Sequence, residues 1–177
     1  MRLLTTAFIF AVCLCLGGSA LAQTPPPPPP AAGGTPETLP FGIPIGTPIT
    51  AAHAQQVVNA VLAEAHKHPA WAFAISVVEP SGDLVYFYKM DNAQYASTKI
   101  SQGKAYTAAR FRRETRAFYN LFETGHTYVS TLDPNLVASP GGFPLVENGK
   151  IIGAVGCSGG TGDQDATVCG AGAATVH

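Results

Sequence analysis

Charged residues are scarce in this chain of 177 residues. Only 12% of its residues are charged, and 10 Lys and Arg against 11 Asp and Glu give a formal net charge of −1. A protein that binds nucleic acid usually carries a cluster of positive charge, and so does a segment that binds an anionic membrane surface. The composition therefore supports neither of these functions.

The apolar run at the start of the chain is too short for a typical membrane span. Leu3–Leu16 carries no charge and is shorter than the roughly 20 residues that a spanning helix needs. Arg2 precedes the run, and Ala20–Ala22 has the A-x-A form of a cleavage site. Together these features predict a signal peptide over residues 1–22 and a secreted or periplasmic protein. A retained membrane anchor is the alternative interpretation.

The chain also lacks a recognisable metal-binding motif among its five histidines. His53 and His66 are 13 residues apart. On one helix they would point about 220° apart, so they cannot bind one ion together. Each is more typical of a surface residue, although a single histidine is enough to serve as an axial ligand of haem iron. The identity of any metal site stays open.

Cysteine is equally rare in the part of the chain that follows the predicted signal peptide. Only Cys157 and Cys169 occur there. In an oxidising compartment the two thiols can form a disulfide, and two free buried thiols are the alternative. A zinc site is less favoured, because two cysteines provide only half of its usual ligands.

Proline is frequent in the region between the predicted signal peptide and the folded domain. The six-proline run Pro25–Pro30 lies within residues 23–48 and predicts a stiff, extended linker that cannot form a core. The remaining residues, 49–177, have the length of one ordinary domain.

Apolar spacing predicts eight elements in this domain, in the order α-β-β-α-α-β-β-α. Thr50 is expected to cap the first helix and Thr115 the short third helix. Asn148-Gly149 between two apolar runs predicts a type I′ hairpin turn. Two hairpins, rather than strictly alternating strands and helices, predict an α+β domain in which helices pack on an antiparallel sheet.

The turn before the last helix contains a motif that is also found in hydrolases. Gly156–Gly160 reads G-x-S-x-G around Ser158, but only two aspartates and the terminal His177 follow as possible catalytic partners. A tight strand-to-helix turn is therefore the favoured interpretation. Asp163 and Asp165 are expected to complement the dipole of the last helix, which Thr161 and Gln164 would cap.

Cations and small residues share the second long helix, predicted over residues 95–112. Lys104 and Arg110 lie among Ser, Gly and Ala residues that allow another surface to approach closely. That surface is either a packed neighbouring element or a flat, acidic ligand whose carboxylates meet the cations.

Four segments of the domain carry a family resemblance in their order and spacing. They are Ile75–Leu84, Lys104–Phe111, Gly141–Val146, and Gly149–Gly160 followed by Asp163–Asp165. Together they resemble the GlcG/HbpS-type haem-binding (haem-degrading domain) family, and the resemblance covers about residues 49–177.

The resemblance implies a profilin-like α+β fold, a homo-oligomer and haem as a suspected cofactor. It suggests Thr107 in the Lys-Ala-Tyr-Thr motif as a residue that contacts haem, with Lys104 beside it and Arg110 on the same helix. Related members use a histidine near the first helix, so His53 or His66, with His68 as a further possibility, is the alternative iron ligand.

We therefore expect a secreted haem-binding protein that stores, scavenges or senses haem. One alternative is an oligomeric accessory protein of the same fold that binds another small molecule, such as an organic acid, or no ligand. The other is an enzyme with haem-degrading or hydrolytic activity. The haem hypothesis requires a recess for a porphyrin beside Thr107.

Overall fold

The computed structural model describes Leu39 and residues 42–177. The predicted signal peptide, residues 1–22, lies outside the described residues, as does most of the predicted linker. The helices are α1 (Ala51–Ala65), α2 (Ser97–Phe111), α3 (Arg116–Glu123) and α4 (Gly162–Ala173), and the strands are β1 (Ala74–Val78), β2 (Leu84–Lys89), β3 (Gly142–Glu147) and β4 (Lys150–Ser158). This is the predicted order, and a short 3-10 helix, Thr127–Thr131, follows α3 in addition.

The four strands form one antiparallel sheet in the order β2-β1-β4-β3. The first two strands make one hairpin and the last two make the other. The hairpins join where β1 pairs with β4, and Ile75 lies opposite Cys157 in that register. The predicted α+β domain with a sheet built from two hairpins is confirmed.

Helices cover both faces of this sheet. α1 and α4 pack on one face, over a core to which Ile75, Val77 and Val155 contribute. α2 packs on the other face, where the buried apolar cluster is mostly alanine. Because β1 lies between these layers, all of its residues are buried.

The type I′ turn between β3 and β4 has the backbone that its sequence predicts. Asn148 has a φ of 50° and Gly149 a φ of 73°. Asparagine and glycine tolerate positive φ better than other residues, and this turn needs it at both central positions. The local sequence therefore sets how β3 returns into β4.

Two of the predicted helix caps are present and one is wrong. The Thr50 hydroxyl accepts the His53 N–H at 3.2 Å, and Thr161 takes part in the predicted capping box of α4. Thr115 instead has helical backbone angles, φ −65° and ψ −20°, and its side chain makes no cap. Its hydroxyl accepts the N–H of Gly142 at 2.9 Å, which fastens the start of α3 to the start of β3.

The end of the predicted linker contacts β4. Ile45 forms an isolated parallel bridge with Ile151, and the Gly46 N–H donates to the Ile151 carbonyl at 2.8 Å. The folded unit therefore includes residues that precede α1. No helix within residues 42–177 is long and apolar enough to cross a bilayer.

Candidate functional site

Small side chains allow α2 to lie directly against the centre of the sheet. Gly156 in β4 has no room for a Cβ atom, which would collide with the Ser101 carbonyl oxygen. Across the same contact the Ser76 and Ser101 hydroxyls hydrogen bond at 2.9 Å, and the Ser158 hydroxyl donates to Ser97 at 3.3 Å. Ser158 is therefore part of helix–sheet packing in this structure.

Lys104 forms a buried ion pair with Asp165. Its Nζ donates to Asp165 Oδ2 at 2.5 Å and to the Pro140 carbonyl at 2.7 Å. Only 1% of the Lys104 surface is exposed. The other oxygen of Asp165 accepts the backbone N–H groups of Gly159 and Gly160, at 3.0 and 2.9 Å. The pair ties α2 to the first turn of α4.

Burial shifts the protonation of both partners. It lowers the pKa of Lys104 and raises the pKa of Asp165, because each charge has left water, while their mutual attraction opposes both shifts. The expected dipole role does not account for Asp165, which is buried and bound to Lys104 across 61 positions of sequence. A contact between Lys104 and a ligand would require this ion pair to open.

Thr107 is fully buried beneath a loop. Its Oγ1 accepts the Val137 N–H at 2.9 Å, which holds residues 134–137 over this turn of α2. Gly103 lies one turn earlier, where a Cβ atom would come within 2.5 Å of Val137 Cγ2. A ligand can reach the Thr107 hydroxyl only if the loop moves, so the predicted haem contact of this residue stays a prediction.

A recess of about 430 Å³ lies beside this segment. That volume falls within the range of about 300–1,000 Å³ that is typical of small-molecule sites. Its lining combines the apolar residues Val78, Leu84, Pro134, Leu136 and Val137 with the polar residues Lys99, Gln102, Tyr106 and Asn135. The structure thus has a recess beside the Thr107 segment, although Thr107 itself does not line it.

Tyr106 lines this recess and packs against the β1–β2 turn, beyond which lies a second recess. Its hydroxyl donates to Asp133 at 2.9 Å, and the Arg110 guanidinium lies 5.5 Å from the centre of its ring. Gly82 in the β1–β2 turn, with a φ of +97°, packs on the same ring. Arg110 lines the second recess, of about 540 Å³. Tyr106 is a site residue that the sequence alone does not single out, and its place in the Lys-Ala-Tyr-Thr motif is the one signal for it.

The two predicted histidines lie at opposite ends of α1. His53 Nδ1 is 3.9 Å from a carboxylate oxygen of Glu147. His66 is exposed at the C-terminal end of the helix and lines a third recess with Trp71 and Met90. The structure therefore does not gather the five predicted site residues around one recess.

Metal ligands are not clustered in the described part of the chain. Within it, no group of three or more His, Cys, Asp or Glu side chains is placed to hold a metal ion.

The two cysteines form a disulfide. The Cys157 and Cys169 sulfurs are 2.08 Å apart and the Cα atoms 5.6 Å apart. The bond joins β4 to α4 within the apolar core, where both residues are fully buried. Of the alternatives that the sequence left open, the structure has the disulfide.

Comparisons with known proteins agree on one family and one fold. The family model described as haem degrading protein HbpS-like matches residues 49–174. Protein GlcG of Escherichia coli (strain K12) is 42% identical over 108 residues, which cover 59% of this chain and 79% of GlcG.

Solved structures show the same fold. Protein ORFY of Klebsiella pneumoniae matches with a TM-score of 0.68 and 28% identity, over 80% of this chain and 96% of that one. The structure of a PduOC:haem complex matches with a TM-score of 0.67 over 74% of this chain and 96% of that one. Its identity of 23% supports the fold alone.

Proposed function

The chain belongs to the HbpS-like family of haem degrading proteins, and from this premise we propose that it is a secreted haem-binding protein. The family match extends over nearly all of the described domain, residues 49–174. A protein of the same fold, PduOC, has been crystallised as a complex with haem. The observation in this chain that carries the proposal is the recess beside the Thr107 segment, which offers both apolar and polar side chains.

The residues of this recess suit a porphyrin. Leu84, Leu136 and Val137 offer apolar surface for the ring, and Lys99 offers a cation for a propionate. The Tyr106 phenol belongs to a side-chain type that binds haem iron in other proteins. Bound haem would supply an iron centre, and its reactivity would depend on the axial ligand and on the polarity of these walls.

Two side chains, those of Thr107 and Tyr106, would offer an oxygen atom to the iron of bound haem. The Thr107 hydroxyl, which the family resemblance suggests, becomes available only when Val137 and its loop move away. The Tyr106 hydroxyl belongs to a residue that already lines the recess, but it must first release Asp133. The protein would hold haem between α2 and the loop of residues 134–137 in either case.

Titration of the purified protein with hemin tests the proposal. We expect a shifted Soret band that saturates at one hemin per chain. A hemin spectrum that stays unchanged would contradict haem binding.

A matched pair of variants locates the site. Leu84 and Leu132 are each 51% exposed, but only Leu84 lines the recess. Leu84→Glu should weaken hemin binding by about 10-fold or more, because it places a carboxylate against the apolar ring. Leu132→Glu should leave binding unchanged. Equal effects of the two substitutions would place haem elsewhere.

Substitution of each candidate ligand by its nearest isostere tells the two oxygen atoms apart. Tyr106→Phe removes one hydroxyl and keeps the ring, and Thr107→Val removes the other hydroxyl and keeps the shape. The variant that changes the Soret position identifies the ligand. Wild-type spectra for both variants would exclude both hydroxyls as iron ligands and leave His53 and His66 as the candidates.

Secretion is the other half of the proposal, and the Cys157–Cys169 disulfide supports it. Such bonds persist mainly in oxidising compartments. We expect cell fractionation to recover the protein outside the cytoplasm, with a mature N-terminus at Gln23. Full-length protein in the cytoplasm, with Met1 retained, would overturn this part of the proposal.

A further inference from the structure

A second recess, of about 540 Å³, lies at the C-terminal end of α2. We propose that it binds a small monocarboxylic acid with an apolar body. We call it the arginine cleft, because Arg110 and Arg112 line it together with Glu79, Ile45, Pro48 and Ile151. It shares no lining residue with the recess proposed for haem, so the inference goes beyond the proposed function.

Both guanidinium groups keep donors for a ligand. A guanidinium carries five N–H donors. Within the described residues each of the two makes a single hydrogen bond: Arg110 donates to the Ser81 carbonyl at 3.2 Å, and Arg112 to the Ile43 carbonyl at 2.9 Å. Those bonds anchor the side chains at the cleft. The remaining N–H groups suit a carboxylate, which a guanidinium can bind through two parallel hydrogen bonds.

Arg112 also has a backbone conformation that residues other than glycine rarely adopt. Its φ of 54° and ψ of 38° are left-handed, and it directly follows the last residue of α2. Helices usually place glycine in this conformation, because a Cβ atom is sterically disfavoured there. Residues held in such conformations cluster at ligand-binding sites.

The charge and the walls of the cleft define the class of acid. Two arginines and one glutamate leave an excess of one positive charge, which favours a single carboxylate over two. Glu79 accepts the Ser81 hydroxyl at 2.9 Å and would repel a second negative group. The exposed Ile45 and Pro48 supply apolar walls, which suit a hydrocarbon body better than a phosphate or a free sugar.

Benzoate is a suitable probe, with benzamide as its neutral counterpart and succinate as a dicarboxylate. We would titrate each into the ¹⁵N-labelled protein without haem and follow amide chemical shifts. Benzoate should shift the amides of Glu79, Ser81 and residues 109–112 in a saturable way. Benzamide and succinate should bind at least about 10-fold more weakly, since one lacks the charge and the other carries a charge too many.

Arg112→Gly removes the guanidinium without disturbing the backbone, because glycine adopts the left-handed conformation without steric cost. The variant should fold, as circular dichroism would show, and bind benzoate about 10- to 100-fold more weakly. Arg112→Lys should recover only part of the affinity, since lysine keeps the charge without the two parallel donors. Arg116→Ala is the control, because the half-exposed Arg116 side chain pairs with Asp163 instead.

Three outcomes would overturn the arginine cleft as a carboxylate site. They are the absence of a benzoate-dependent shift at the highest soluble concentration, benzamide binding as tight as benzoate binding, and unchanged benzoate affinity in folded Arg112→Gly. Hemin titration of the same variant separates the two proposals. Haem binding should be unaffected there, whether or not benzoate binds.

Discussion

The two faces of the sheet are built from different kinds of residue. Beneath α1 and α4 the core consists mainly of valine, isoleucine and leucine side chains and is crossed by the Cys157–Cys169 disulfide. Beneath α2 the buried residues are mostly alanine, serine and glycine, joined by hydrogen bonds and by the Lys104–Asp165 ion pair. Both proposed ligand sites border α2.

This difference indicates that one face of the sheet mainly stabilises the domain, whereas the other positions the proposed ligand sites. An apolar core tolerates changes of shape as long as its volume is filled. In a tight helix–sheet junction, the loss of one hydrogen-bond partner leaves the other buried and unsatisfied, which destabilises the fold. The face under α1 and α4 therefore acts as a scaffold, and the face under α2 fixes the helix whose edges carry the recesses.

Lys104→Met should produce the largest loss of stability on the α2 face. It leaves the Asp165 carboxylate buried without its cation, which typically costs about 3–5 kcal/mol. Urea unfolding measures the loss. The loss should shrink at acidic pH, because protonation of Asp165 removes the unpaired charge.

Lys67→Met is the control for this variant. Lys67 pairs with Glu64, but its side chain is 65% exposed, so the substitution should cost under about 1 kcal/mol. Similar losses of stability in the two variants would show that burial does not increase the contribution of the Lys104–Asp165 pair.

Breaking the disulfide should produce the next largest effect, this time on the opposite face. The bond closes a loop between residues 12 positions apart, for which we expect about 2–4 kcal/mol of stabilisation. Urea unfolding with and without a reductant measures this contribution. A double Cys157→Ala/Cys169→Ala variant should not respond to the reductant. If the reductant does not change the stability of the wild-type protein either, the disulfide contributes little to that stability.

Ala105→Val should have the smallest effect of the three and tests the small-residue packing. Ala105 is fully buried against Gly156, so two added methyl groups would push α2 away from the sheet at a cost of about 1–3 kcal/mol. Thermal unfolding measures this cost. The exposed Ala63 in α1 is the matched control, since valine there changes helix propensity alone. Equal melting temperatures for the two variants would contradict a tight junction.

Local sequence features predicted the framework of the fold well. The Asn148-Gly149 turn, the Thr50 cap and the capping box at Thr161 depend on residues a few positions apart, and all three are present. Thr115 shows the limit of this reasoning. Its hydroxyl bonds the distant Gly142 instead of its own helix, and nothing in the local sequence distinguishes these two possibilities.

The site was harder to predict, because its parts come together only in the folded chain. In the sequence, Lys104 and Arg110 stand out by their charge and Thr107 by a family motif. Charge and motif do not reveal that Asp165 neutralises Lys104 or that Val137 covers Thr107. Helical spacing likewise could not show that Arg110 faces a different recess from Tyr106, since the β1–β2 turn divides the two.

The most direct test of haem binding beside α2 is a crystal structure of the protein with hemin, in which anomalous scattering locates the iron. We expect one iron per chain next to Tyr106, with the porphyrin against Leu84 and Val137. An iron bound at His53 or His66, with the recess beside α2 empty, would contradict the account.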